Sequence, residues 1–150
     1  MAASAEPYNL QRFVDAQEHT FNTVEAELLA GQKRTHWMWF IFPQWHGLGS
    51  SAMAVRFAIS SLQEGVAYLE HPVLGQRLRD CTALVNAIPD RSLSEVFGYP
   101  DDLKFHSSMT LFAKVAEDLR LKAPGFQNAL TKYFAGGADV RTLSLLRGDL

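Results

Sequence analysis

The chain has 150 residues, 47% of them hydrophobic and 20% charged, with a formal net charge of −2. That length suits one domain and buries roughly 70% of the unfolded surface, while so weak a charge excludes recognition of nucleic acid or an anionic membrane by bulk electrostatics. No apolar run approaches the ~18 residues of a membrane span, and a single cysteine, Cys81, excludes an internal disulfide and a cysteine-based metal site.

Residues 1–8 read as a frayed tail, with neither the basic n-region nor the apolar h-region of a secretory signal. Asn9 is placed to cap a helix starting at Leu10, whose apolar stripe runs through Phe13 and Val14 and continues at Phe21, Val24 and Leu28. Asn22 followed by Glu25 resembles a capping box. The region therefore reads as two helices meeting near His19-Thr20, with Gly31 as the stop.

All three tryptophans fall in the next stretch, Arg34-Thr35-His36-Trp37-Met38-Trp39-Phe40-Ile41-Phe42-Pro43-Gln44-Trp45. Its unbroken apolar run fits a strand buried on both faces or a short buried helix, and periodicity does not separate the two. A short helix is favoured because no other convincing strand is available as a partner. Thr35 is placed to cap it, and Pro43 ends it. Gln44 to Gly49 is then a loop with Gly47 and Gly49 as its flexible points.

Ser50 or Ser51 starts a helix carrying Met53, Val55, Phe57 and Ile59, and Ser61 with Glu64 makes a second capping box. His71-Pro72 breaks that helix. Val73, Leu74, Leu78, Cys81, Leu84, Val85 and Ile88 line one face of the next, which Pro89 ends, and a buried inert thiol is the expectation for Cys81. Ser92 with Glu95 is a third box before a stop at Gly98. Pro100-Asp101-Asp102 reads as a turn or helix start, and Ser107 or Ser108 begins a run through Met109, Leu111, Phe112 and Val115. After a Pro124-Gly125 loop, Phe126 to Phe134 forms a helix ended by Gly136-Gly137, and Asp139 caps a last one. The pattern predicts an all-α, single compact domain over residues 9–150. It would contain seven to nine short helices and not form a simple four-helix bundle.

Lys33 to Gln44 with Gly47-Leu48-Gly49, Ala67 to Gly75, Phe97 to Lys104 and Ser107 to Phe112 together resemble the family known as domain of unknown function 1810. The likeness runs from about Leu10 to Leu146. It implies a single, mostly helical domain and no established activity. Phe57 departs from the tyrosine common in that family, and Phe105-His106 from an aliphatic and a basic residue. Members sometimes carry a calpastatin-like label, which this apolar composition does not fit, since calpastatin is disordered.

Three groups of residues can carry chemistry. Trp37 and Trp39 can stack on a planar ligand, although core packing is the commoner fate of such residues. His36 can act as an acid or base with Gln44 orienting a carbonyl or water, while a histidine bonded to backbone is the plainer reading, and no carboxylate nearby joins His36 and His46 in a metal set. Asp101 and Asp102 can serve as acids, bases or hydroxyl acceptors, Lys104 supplies charge, and a helix starting at Ser107 or Ser108 would present N–H groups to an anion. Helix caps and a surface ion pair are the plainer reading there. With Arg34 beside the aromatic stretch, these residues suit a small anionic, nucleotide-like ligand, bound by Arg34, Trp37, Trp39, Gln44, Lys104, Ser107 and Ser108.

The alternatives are a hydrolase or glycosidase acting on a nucleotide-sugar derivative, with His36, Asp101 or Asp102 catalytic, and a protein-interaction module with an aromatic patch. Whether the domain is an enzyme stays open. No cofactor, metal, nucleic acid or membrane is expected. A cytoplasmic monomer or weak homodimer is the expectation.

Overall fold

Glycine, proline and side-chain caps divide the chain into ten helices among the described residues, 7–148 of a computed structural model. They are α1 (Gln11–Glu18), α2 (Phe21–Ala30), α3 (Met38–Ile41), α4 (Ala52–Arg56), α5 (Leu62–Glu70), α6 (Leu74–Asn86), α7 (Leu93–Phe97), α8 (Asp101–Leu119), α9 (Pro124–Phe134) and α10 (Val140–Leu146). Ten exceeds the expected seven to nine, and α8, at 19 residues, is not short. Residues 1–6 of the expected tail lie outside the described residues, and Tyr8 packs on the core.

Several stops and starts are the ones the residue types require. Gly31 ends α2 at φ 73°, where a side chain would be strained, and its N–H reaches the carbonyls of Glu27 and Leu28. Ser51, Ser61 and Asp139 accept from the third residue of α4, α5 and α10, and Ser92 with Glu95 closes a full capping box on α7. Ser61 makes only half a box. The Glu64 carboxylate turns instead to the Ser60 N–H and hydroxyl and to Arg12 at 2.8 Å.

Other expected caps are absent. Asn9 sits at φ 52° and does not cap α1, and α2 begins at Phe21, which puts Asn22 inside it; Thr20, at the cap position, donates its hydroxyl back to Ala16 O. Phe57 and Ile59 lie beyond α4. There Ile59 forms an isolated parallel bridge with Trp45, with Ile59 N–H donating to Gln44 O at 2.9 Å and His46 N–H to Ile59 O at 3.0 Å. Ser107 and Ser108 lie in the interior of α8, which begins at Asp101, so no helix start and no free N–H groups exist there.

The apolar run from Trp37 to Phe42 forms one helical turn, Met38–Ile41, with non-helical residues at both ends. Its tertiary contacts explain how so short a helix persists. Nucleating a turn is costly in isolation, but α3 packs on α1, α6 and α8, and Trp37, Met38, Ile41 and Phe42 are essentially buried. Each such side chain contributes roughly 1.5–3 kcal/mol by leaving water. Phe42 meets the edge of Phe105 at 5.0 Å, and Phe105 stacks on Phe97 at 5.1 Å, which ties α3 to α7 and α8. A four-residue helix also leaves carbonyls without partners. Buried Gln17 of α1 donates to Phe40 O at 2.7 Å and so meets one of them.

The chain before α3 is held by a carboxylate. Glu27 of α2 accepts from Arg34 N–H at 2.8 Å, Thr35 N–H at 3.2 Å, the Thr35 hydroxyl at 2.8 Å and the Trp37 indole N–H at 2.9 Å. Thr35 therefore does not cap α3; its hydroxyl is spent on Glu27. Burial alone would push the Glu27 carboxyl up, but these four donors together outweigh it and hold the carboxyl below its ordinary value of 4.5. Cys81 is buried on α6, and burial, with Glu25 and Asp80 nearby, pushes its thiol up to about 12, so it stays protonated at neutral pH.

Glu27→Gln is expected to cost about 2 kcal/mol at pH 7, because an amide cannot receive four donors and leaves buried groups unmatched. A depressed folded value means that the carboxylate's contribution is complete above 4.5 and is lost as pH falls from there. Urea melts of the two proteins should therefore converge below pH 4.5. Gly75 lies where α6 crosses the end of α5, and an added Cβ would sit 2.0 Å from Leu69 O. Gly75→Ala should lower stability by about 3 kcal/mol in the same assay.

Candidate functional site

The start of α8 and the central stretch meet through one carboxylate. Asp101 places one oxygen 2.8 Å from Lys33 Nζ and the other 3.3 Å from Lys104 Nζ. Each lysine then lies over an indole: Lys33 Nζ is 5.1 Å from the Trp37 ring centre and Lys104 Nζ is 4.9 Å from that of Trp39. Ammonium over an aromatic face is attractive, more so where water is partly excluded. The Lys33 side chain is only 6% exposed, against 24% for Lys104, so Lys33 is a structural partner and Lys104 the accessible one.

Lys104 lines a cleft of about 370 Å³ between the start of α8, the loop before α4 and the start of α10. Trp39, half-buried, forms one wall with Leu48, Ala54 and Leu103, and Gln44, Ser107 and Arg141 supply polar groups. Ser107 and Lys104 are three residues apart on α8 and so share a face. Gln44 donates through Nε2 to Ser107 Oγ at 3.0 Å, and Ser107 donates to Leu103 O at 3.2 Å. Arg141 lies at the rim and reaches Gly47 O at 3.5 Å. Asp139 accepts from the Thr142 hydroxyl and N–H and is spent as the cap of α10. Lys33, Lys104 and Arg141 against Asp101 and Asp139 leave one net positive charge around the cleft.

Of the sequence-predicted binding residues, the structure brings together Trp39, Gln44, Lys104 and Ser107, with Asp101 directly behind Lys104. It does not bring in the others. Trp37 is 1% exposed, packed on Phe42 and Phe97 and bonded to Glu27, so it offers no face to a ligand. Ser108 is fully buried, since it points a hundred degrees around α8 from Ser107. Arg34 is exposed beside α2, in a groove with Gln32 and Glu27. His36 is exposed and does not line the cleft, and Asp102 faces a separate groove with Arg91 and Lys132. His46 is exposed, with its ring 5.1 Å from that of Trp45.

The structure also adds residues that sequence reasoning missed. Arg141, Asp139, Ser50 and Ser51 line the cleft from the starts of α10 and α4, where the sequence marked only Asp139 and the serines, as helix starts. Nothing in the spacing relates Arg141 to Trp39, because α10 arrives by tertiary packing on α8. Among the described residues, no three His, Cys, Asp or Glu side chains gather as a metal set, and no helix is long and apolar enough to cross a membrane.

No protein of curated function matches the chain. Its fold is that of a conserved hypothetical protein from Mycobacterium tuberculosis known from a crystal structure, at a TM-score of 0.89 and 54% identity, with 95% of this chain and 99% of that one covered. The family model described as a protein of unknown function, DUF1810, matches residues 7–146, and the chain belongs to that family.

Proposed function

We propose that the domain binds a small anionic, nucleotide-like ligand in the cleft between α8 and the loop before α4. The observation that carries this reading is the convergence of Lys104, Trp39, Gln44 and Ser107, drawn from positions as far apart as 39 and 107, on one concave surface. Ligand pockets pair an apolar wall with a few converging polar groups, and this cleft has both. Lys104 and Arg141 supply charge for an anion, and the exposed part of Trp39 with Leu48 and Leu103 supplies surface for an apolar or planar group.

Binding is favoured over hydrolysis by the state of the carboxylates. A general acid or base needs a free ionisable group within reach of the substrate. Asp101 is held by two lysines, Asp139 is spent on Thr142, and His36 and Asp102 lie outside the cleft. A second reading, as an interaction module, draws on a different observation. Of the seven large apolar side chains exposed among the described residues, Leu103 lines the cleft, and Val55, Tyr99 and Val140 are chain neighbours of residues that line it. Exposed apolar side chains of this kind also suit a protein partner.

A thermal-shift screen of nucleotides, sugar phosphates and inorganic anions separates the two. A ligand at 100 times its dissociation constant stabilises the folded state by roughly 2.7 kcal/mol. The expected result is a raised melting temperature with one anionic class, abolished by Lys104→Ala and reduced by Trp39→Ala. A screen without shifts, or a shift that survives Lys104→Ala, removes this reading in favour of the protein partner.

A further inference from the structure

The cleft's hydrogen bonding specifies more than charge, and the further step rests on the small-anion reading above. Ser107 Oγ touches two groups, Leu103 O at 3.2 Å and the Gln44 amide at 3.0 Å. A carbonyl oxygen only accepts, so the Ser107 proton must point at Leu103. Ser107 then has only lone pairs left for Gln44, which must present its nitrogen. The amide is therefore fixed in one orientation, with Nε2 on Ser107.

The consequence is at the other end of the amide. Gln44 Oε1 receives no donor from any described residue, and it is not among the buried side-chain atoms left without a partner. It is an accessible acceptor on a residue that lines the cleft. Lys104 and Arg141 line the same cleft and only donate. The cleft thus offers a fixed acceptor alongside cations, a pairing that a bare anion leaves half unused.

We infer that the ligand is a sugar phosphate or mononucleotide, in which a sugar hydroxyl donates to Gln44 Oε1 while the phosphate lies against Lys104 and Arg141. Size points the same way. Pockets for small ligands span about 300–1,000 Å³, and this cleft, at about 370 Å³, stands at the small end, a fit for one sugar with its phosphate. Trp39 and Leu48 then face the sugar's carbon skeleton or the edge of an attached base.

The test compares two phosphates of like length and charge, ribose 5-phosphate and pentyl phosphate, by titration calorimetry on the full chain. Wild type is expected to bind ribose 5-phosphate at least tenfold tighter than pentyl phosphate. Gln44→Met keeps the side chain's length and removes its acceptor, so it should abolish that preference. Lys104→Ala should weaken both. Equal affinity of the two phosphates for wild type overturns the assignment without any variant, and so does a preference that persists in a folded Gln44→Met protein. If neither phosphate binds, the anion-binding reading itself falls and the sugar assignment falls with it.

Discussion

The fold depends on a carboxylate that receives four donors. Glu27 gathers the Arg34 and Thr35 N–H groups, the Thr35 hydroxyl and the Trp37 indole N–H, and so fixes the path of the chain into α3. Without that anchor, the buried Trp37 indole N–H and the part-buried N–H groups of Arg34 and Thr35 would lose their acceptor, at a cost greatest for the indole. With it, Trp37 is aimed at Phe42 and Phe97, Lys33 is left beside α7 and α8, and Trp39 emerges on the far side of the α3 turn. The position of the cleft wall is therefore set a helix earlier in the chain.

The same arrangement explains why two neighbouring tryptophans have different roles. Trp37 precedes the α3 turn and Trp39 lies within it, and the two rings take different sides. One faces the core and the other the cleft. Each carries a lysine over its ring, and the two lysines share Asp101. The ion pairs thus do more than neutralise charge. They orient Lys104 across the Trp39 face before any ligand arrives, which reduces the side-chain entropy lost on binding.

Local chemistry was legible in the sequence wherever it acts alone. Pro43, Gly31, the Ser92–Glu95 box and Asp139 each set a helix boundary through groups within a few residues, and the all-α class follows from many such signals agreeing. Three misreadings share another cause. Thr35 looks like a cap but serves Glu27, Asn22 looks like one but lies inside α2, and Ser107-Ser108 look like a helix start but sit inside α8. Serine, threonine and asparagine read the same whether they cap or serve a distant partner. The site was legible in part for the opposite reason. Trp39 and Gln44 stand in the tryptophan-rich stretch and Lys104 in the Phe97 to Lys104 motif, whereas Arg141 and Ser51 join them only because the last helix and the loop before α4 fold onto α8.

The bridge between Trp45 and Ile59 closes the base of the loop that walls the cleft. Two backbone hydrogen bonds pinch its base, one to Gln44 O and one from His46 N–H, and the segment between leaves and re-enters at adjacent points. The closure entropy of such a segment grows only with the logarithm of its length, about 0.6 kcal/mol for each doubling. Insertions or deletions in the exposed stretch Gly49 to Ser51 would therefore resize the cleft at small thermodynamic cost, while Phe57 keeps its packing on Phe13 and Phe40. That gives evolution a way to change what this scaffold holds without rebuilding it.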